Sequence, residues 1–229
     1  DLYGDKKDDL GNSWFIGEPI NVYYDYAYDG IWQESDDIVN SHMPSAQPGT
    51  VRIKDISGPD GVPDGTISAD YDRQIIGSEN PDLLWGFTNT FQYRGFDLSI
   101  FFQGVQGVTG YHDLDYQNVR SSYMAMFDED YWLPENPSNK YPTGIYNRSN
   151  TYSDLVGYCD ASYLRLKDIT VGYTLPVKVT KGIGVDKLRL YMNATNLFTI
   201  TEWPLFDPET RSSTGPMTRS FIIGLNVSF

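Results

Sequence analysis

The sequence predicts an all-β fold of antiparallel strands taken from a membrane-spanning barrel, and three observations carry that expectation. The closing stretch Arg219 to Phe229 alternates apolar with small or polar residues and stops on an aromatic. Several earlier segments alternate in the same way, and the connections between them are short and long by turns. A strand with one apolar and one polar face suits a half-buried soluble sheet as well as a barrel wall. A succession of them with unequal connections favours the barrel.

In chain order, the first strand is expected over 20–29, where Ile20, Val22, Tyr24, Tyr26 and Tyr28 alternate with Asn21, Tyr23, Asp25, Ala27 and Asp29. Leu84 to Arg94 turns through Gly95 into Phe96 to Gly104, with Trp85, Phe87, Phe91, Tyr93, Phe96, Leu98, Ile100 and Phe102 facing outward. The Arg94-Gly95 pair marks a tight hairpin. From Tyr163 to Leu175, Leu164 and Leu166 have one parity and Ile169, Val171, Tyr173 and Leu175 the other. A β-bulge at Lys167–Asp168 brings all of them to one face.

Leu188, Leu190, Met192 and Ala194 then alternate with Arg189, Tyr191, Asn193 and Thr195, and the strand continues through Asn196 to Thr201. In the sixth strand, Phe221, Ile223, Leu225, Val227 and Phe229 share one face, opposite Ser220, Gly224, Asn226 and Ser228. The connections are short at 94–95 and about 176–187, long at 33–82 and 110–159, and intermediate at 204–215. Short turns on one side and long loops on the other describe an up-and-down outer-membrane barrel with its long loops outside the cell.

Composition agrees. Eighteen Tyr, 11 Phe and 5 Trp, with 21 Gly and 13 Pro, favour strands and turns over long helices. No apolar run reaches the length of a membrane-spanning helix, and the acidic start at Asp1 is not a secretory signal, leaving a cytosolic protein, a mature chain or a fragment. A net charge of −14 argues against nucleic-acid binding, which needs a basic surface. Cys159 is the single cysteine, so no intramolecular disulfide framework or Cys-rich zinc site is expected.

The segments Gly17 to Ile20, Tyr28 to Gln33, Pro48 to Asp55, Arg73 to Gly77, Tyr93 to Gly104, Ala161 to Pro176 and Asn196 to Phe198 together resemble the carboxy-terminal part of SusC/RagA-type TonB-linked outer-membrane proteins, from about Gly11 to Phe229. The resemblance implies residues 1–229 as the carboxy-terminal antiparallel strands of a large transmembrane β-barrel with long extracellular loops. It implies a non-enzymatic receptor in the bacterial outer membrane that imports glycans or peptides. TonB energises it through an amino-terminal plug, a SusD-like lipoprotein forms the lid, and two transporter–lid pairs can assemble as a dimer. Six strands cannot close around a plug without leaving edges unpaired in lipid, so the chain is expected to be a fragment.

Relatives of this type often carry an EF-hand-like loop where this chain has the acidic stretch Asp55 to Asp72. Taking Gly65 as the turn glycine puts Asp60 first and Asp64 fifth, but Val62 stands third and Tyr71 twelfth, where carboxylates belong. Either calcium is held by a reshaped set drawn from Asp55, Asp60, Asp64, Asp70 and Asp72, or the stretch is a solvated acidic turn. For a sugar ligand, stacking on aromatic faces with carboxylates as acceptors points to Tyr123, Tyr131, Trp132 and Asp128 in the 110–159 connection. The alternative for those residues is packing against the lid or neighbouring loops.

No spacing selects an acid–base pair among carboxylates such as Asp36–Asp37 or Asp128–Asp130, and His42 and His112 lie in no triad or metal pattern. Phe229 is expected to serve either as an insertion signal or as an interfacial anchor. The competing reading for the whole chain is a soluble calcium-dependent carbohydrate-binding β-sandwich.

Overall fold

The computed structural model describes residues 7–112, 130–143, 152–211 and 215–229. Among these, the strands in chain order are β1 (Val22–Tyr26), β2 (Tyr28–Ile31), β3 (Val51–Ile53), β4 (Arg73–Ser78), β5 (Leu83–Tyr93), β6 (Phe96–Gln106), β7 (Thr109–Tyr111), β8 (Tyr158–Asp160), β9 (Tyr163–Thr174), β10 (Lys187–Thr201) and β11 (Ser220–Ser228). They divide between two compact units, one of residues 1–80 with 109–159 and one of residues 81–108 with 160–229.

In the second unit, β5, β6, β9, β10 and β11 lie side by side in that order as one antiparallel sheet. Each strand pairs with the next long strand of the chain, which is the up-and-down connectivity expected from the sequence. Arg94 and Gly95 join β5 to β6 with φ of 47° and 89°, while Tyr93 pairs with Phe96. Positive φ at both central residues gives the turn the twist of the flanking strands.

The parity switch in β9 is a bulge. Phe101 pairs with Asp168 and Phe102 with Leu166, which leaves Lys167 as the extra residue. On its other side, Thr195 pairs with Asp168 and Phe198 with Leu166, so Asn196 and Leu197 stand opposite the bulge. Asn196 takes a φ of 52°, a conformation asparagine tolerates better than most residues.

With this register the alternation of five separate segments becomes two faces. Phe91, Leu98, Val171, Met192 and Ile223 form one lateral row, and Tyr93, Phe96, Tyr173, Leu190 and Leu225 form the next. The Phe96 and Tyr173 rings lie 4.5 Å apart. Much of this apolar face is open: Ile223 is 82% exposed, Tyr93 68% and Phe221 67%. The opposite face carries Thr90, Ser99, Thr170, Asn193 and Ile222 in one row and Gln92, Asp97, Gly172, Tyr191 and Gly224 in another, so that Ile222 is the apolar exception. An exposed apolar face of this extent marks a surface made to contact something other than water. The strands run 11, 11, 12, 15 and 9 residues. A tilted barrel strand needs about 9–11 residues to cross a bilayer, so all five are long enough.

The first unit departs from the sequence expectation. The strand expected over 20–29 is not part of the five-stranded sheet. It breaks at Ala27 into β1 and β2, and each finds an antiparallel partner inside the stretch expected to be a long loop: β1 pairs with β4, and β2 with β3. The alternation of Tyr residues there reflects a local sheet, and six barrel strands become five. The first unit accordingly has a core of its own, with Ile31, Val51 and Ile53 essentially inaccessible. The amide of Lys54 donates to the Ala27 carbonyl at 2.9 Å, continuing the pairing through the break. β7 and β8 form a further two-stranded sheet.

No helix among the described residues is long and apolar enough to cross a membrane. The four-residue α1 (Val177–Thr180) and the 3-10 turn Lys181–Ile183 fill the connection from β9 to β10.

Candidate functional site

The polar face of the five-stranded sheet holds a cluster of four charged side chains, Arg165, Lys167, Asp207 and Glu209. The alternation of β9 directs Arg165 to that face, where it is fully buried. Its Nη2 donates to Asp207 Oδ2 at 2.6 Å, its Nη1 to Glu209 Oε2 at 2.6 Å, and its Nε to Thr199 Oγ1 at 2.9 Å. The guanidinium also lies over the Tyr163 ring at 5.0 Å. Lys167, the bulged residue, reaches Glu209 Oε2 at 2.9 Å. Asp207 Oδ1 accepts the amides of Glu209 at 3.0 Å and Thr210 at 3.2 Å, shaping the turn that presents both carboxylates. Desolvated charges of this kind are tolerable only when paired and hydrogen-bonded on several sides, as Arg165 is.

Two further polar links cross the same face. Arg189 of β10 and Asp97 of β6 form a bidentate pair over the intervening β9. Nearby, Asn193 Nδ2 donates to Asp168 Oδ2 at 2.6 Å and to Thr170 Oγ1 at 2.9 Å. No motif in the sequence marks this face as a site. The available signal was a charged residue at each polar parity of β6, β9 and β10.

The acidic stretch folds around its own backbone. Asp72, fully buried, accepts the Ile56 amide at 2.9 Å and the Ser57 amide at 3.3 Å on Oδ1, and the Ser68 amide at 2.7 Å on Oδ2. Burial pushes the Asp72 carboxyl up, but the amides of Ser68, Ile56 and Ser57, with a contribution from Asp55, outweigh it and hold the group below the ordinary aspartate value. Asp55 Oδ2 accepts the Gly65 amide at 2.7 Å, and Asp64 Oδ1 accepts from Thr66 at 3.0 Å (amide) and 2.6 Å (hydroxyl). Asp60 is exposed. Among the described residues, no three His, Cys, Asp or Glu side chains converge as a metal-binding group. Asp55, Asp64 and Asp72 each hold loop amides, while the second carboxylate oxygen of Asp55, Oδ1, is buried with no hydrogen-bond partner.

Of the expected aromatic platform, Tyr123 and Asp128 lie outside the described residues. Trp132 is buried: its indole N–H donates to Gln33 Oε1 at 2.8 Å and its amide to the Tyr141 carbonyl at 2.9 Å. Its ring covers Gly49, where a Cβ would overlap it and where φ is 83°. A sugar cannot stack on a ring so enclosed, and Trp132 is a packing residue of the first unit. Tyr131 keeps partial exposure with its ring 6.0 Å from that of Tyr141. Asp130 accepts from Asn136 Nδ2 and Ser138 Oγ, and those hydrogen bonds hold its carboxyl below the usual value. The neighbouring Tyr28 hydroxyl, donating to the Asn139 carbonyl at 2.5 Å, is pushed up to about 12 by burial, which outweighs the nearby Arg52.

No family model matches the chain. It is 32% identical over 233 residues to TonB-dependent receptor P3 of Formosa agariphila, an alignment covering 93% of this chain and 22% of that protein. It is likewise 32% identical over 254 residues to TonB-dependent receptor P26 of the same organism, covering all of this chain and 25% of that one. The chain belongs to the SusC/RagA-type TonB-dependent receptors. TonB-dependent receptor SusC of Bacteroides thetaiotaomicron is 27% identical over 173 residues, or 72% of this chain and 17% of SusC. Among solved structures, the RagAB peptide importer in its open-open state superposes with a TM-score of 0.67 at 24% identity, covering this whole chain and 25% of that one.

The chain thus spans about a quarter of the length of the curated relatives it matches. The antiparallel sheet is that of the RagAB barrel. In transmembrane barrels generally, strands alternate between an apolar face toward lipid and a polar face toward the interior.

Proposed function

We propose that this chain is the carboxy-terminal stretch of wall and loops of an outer-membrane receptor that imports nutrient oligomers, glycans or peptides, using energy delivered by TonB through a plug supplied by the rest of the protein. A SusD-like lipoprotein closes the extracellular mouth, and transporter–lid pairs assemble as dimers. The chain contributes no covalent chemistry. What carries the reading is the five-stranded meander with one continuous open apolar face and one ion-paired polar face. A soluble β-sandwich would cover its apolar face with a second sheet, and Ile223, Phe221 and Tyr93 are open in this chain. The named relatives, a set of TonB-dependent receptors and a peptide importer, support import as the activity.

The experiment is expression of the full receptor with and without its adjacent lipoprotein in a strain lacking both, with growth measured on defined glycans and on defined peptides as sole nutrient. Growth on one class that needs both the receptor and TonB supports the reading and selects the substrate class. A receptor recovered in the soluble fraction, or growth indifferent to its deletion on every oligomer tried, contradicts it.

A further inference from the structure

The connection from β10 to β11, residues 202–219, is long enough for its two limbs to project roughly 30 Å beyond the strand ends. Among its described residues, 202–211 and 215–219, three separate anchors reach back to its own sheet. Asp207 and Glu209 land on Arg165, and Glu209 also on Lys167. Farther along, Met217 Sδ lies 2.9 Å from Arg165 Nη1, and the Thr218 carbonyl accepts Asn196 Nδ2 at 3.1 Å. Arg165 is therefore gripped by both limbs of one connection, and its side chain is only 1% exposed. Thr210 and Arg211 sit on the Asp207 turn and move with it.

We propose that Arg165 is a positioning residue that fastens the 202–211 limb across the inner wall of the barrel, so that this limb narrows the passage instead of standing outside the cell. The inference rests on the barrel reading, because only there is the polar face the lumen. A buried cation held by two carboxylates is a stiff fastening: removing the guanidinium leaves the Asp207 carboxylate desolvated and unpaired, which drives the limb off the wall. The bulge at Lys167 adds a second cation to the same carboxylate of Glu209, and the Asn196 bulge opposite receives the returning limb. The two irregularities thus both serve the seat of this segment.

The test uses the full receptor in intact cells with Cys159→Ser as background and Thr210→Cys as reporter, treated with a small membrane-impermeant maleimide and with a maleimide carrying a 5 kDa polymer, roughly the size that a narrowed mouth excludes. With Arg165 present, the small reagent is expected to label about tenfold faster or more than the large one. With Arg165→Met, the two rates are expected to converge and the amides of 209–211 to lose about a hundredfold in hydrogen-exchange protection, while β9 and β10 amides keep theirs. The exchanged pair Arg165→Asp with Asp207→Arg is expected to restore part of the size discrimination, which a general loss of folding does not allow. Equal labelling by both reagents with Arg165 present, or unchanged discrimination in Arg165→Met, overturns the proposal. A receptor absent from the outer membrane, or one lacking the heat-modifiable mobility of a folded barrel, instead overturns the barrel reading itself.

Discussion

Asp97 and Arg189 meet over Gly172, three residues from three adjacent strands, and a side chain on the middle one would occupy the space where the ion pair forms. The pair ties β6 to β10 on the polar face near the Arg94-Gly95 turn. Gly172→Val is therefore expected to displace Arg189 from Asp97 and to lower barrel stability by about 1–3 kcal/mol. Loss of the compact band on heating the detergent-solubilised receptor measures this, and Thr90→Val, an exposed position of β5 on the same face, serves as the control.

The apolar rows predict an asymmetry between neighbours on β11. Ile223→Arg places a charge at mid-strand on the lipid side and is expected to cost about 2–4 kcal/mol of barrel stability, with a fall in the amount of receptor in the outer membrane. Ser220→Arg, on the opposite face and across from Thr195, is expected to leave both near their original level. Urea-driven unfolding from vesicles compares the two directly.

Asp72 gives the first unit a pH dependence of known sign. Its folded value lies below its unfolded value of about 3.8, so its contribution to stability is complete above that pH and is lost as pH falls through the depressed folded value. Asp72→Asn is expected to destabilise the stretch by about 1–3 kcal/mol, since the Ser68 amide then faces a donor or an unpaired group. The same variant is expected to flatten the acid limb of the stability profile. Proteolysis with an acid-active protease from about pH 6 down to about pH 2, on both sides of the ordinary aspartate value, reads both effects.

The staple role of the acidic stretch also predicts indifference to calcium. Titration of the full receptor with calcium is expected to leave proteolysis at residues 55–72 unchanged, and protection that vanishes on deletion of the stretch would restore the ion as a ligand.

Trp132 is expected to act through folding of its segment. Trp132→Ala removes a buried indole and its hydrogen bond to Gln33, a loss of about 3–5 kcal/mol from the packing around Gly49 and Tyr141. Local hydrogen exchange at 131–141 should rise while the five-stranded sheet is unaffected, and Trp132→Phe should fall between the two.

The sheet was legible because its information is local. Five alternating runs, the Arg94-Gly95 turn and the parity switch at Lys167 each report on adjacent residues, and the register joins them without rearrangement. The first strand misled for the same reason: Tyr alternation over 20–29 marks a two-faced ribbon but not its partner, and β3 and β4 lay in a stretch rich in Asp, Gly and Pro that reads as loop. The Arg165 cluster depends on residues 42 and 44 positions later meeting one side chain, a relation no window along the sequence contains. Trp132 and the acidic stretch were visible as residue types, but which of their faces would be covered depended on Gly49, Gln33 and a set of backbone amides that carry no motif.

Whether one face of this sheet meets lipid and the other the interior is read by single spin labels placed along β10 and β11 of the full receptor in vesicles. Labels at Leu190, Met192, Ile223 and Leu225 are expected to be relaxed by oxygen and shielded from a water-soluble nickel chelate, with the reverse at Arg189, Asn193 and Asn226. An alternation of the opposite phase, or equal access to the chelate at all seven positions, would contradict it.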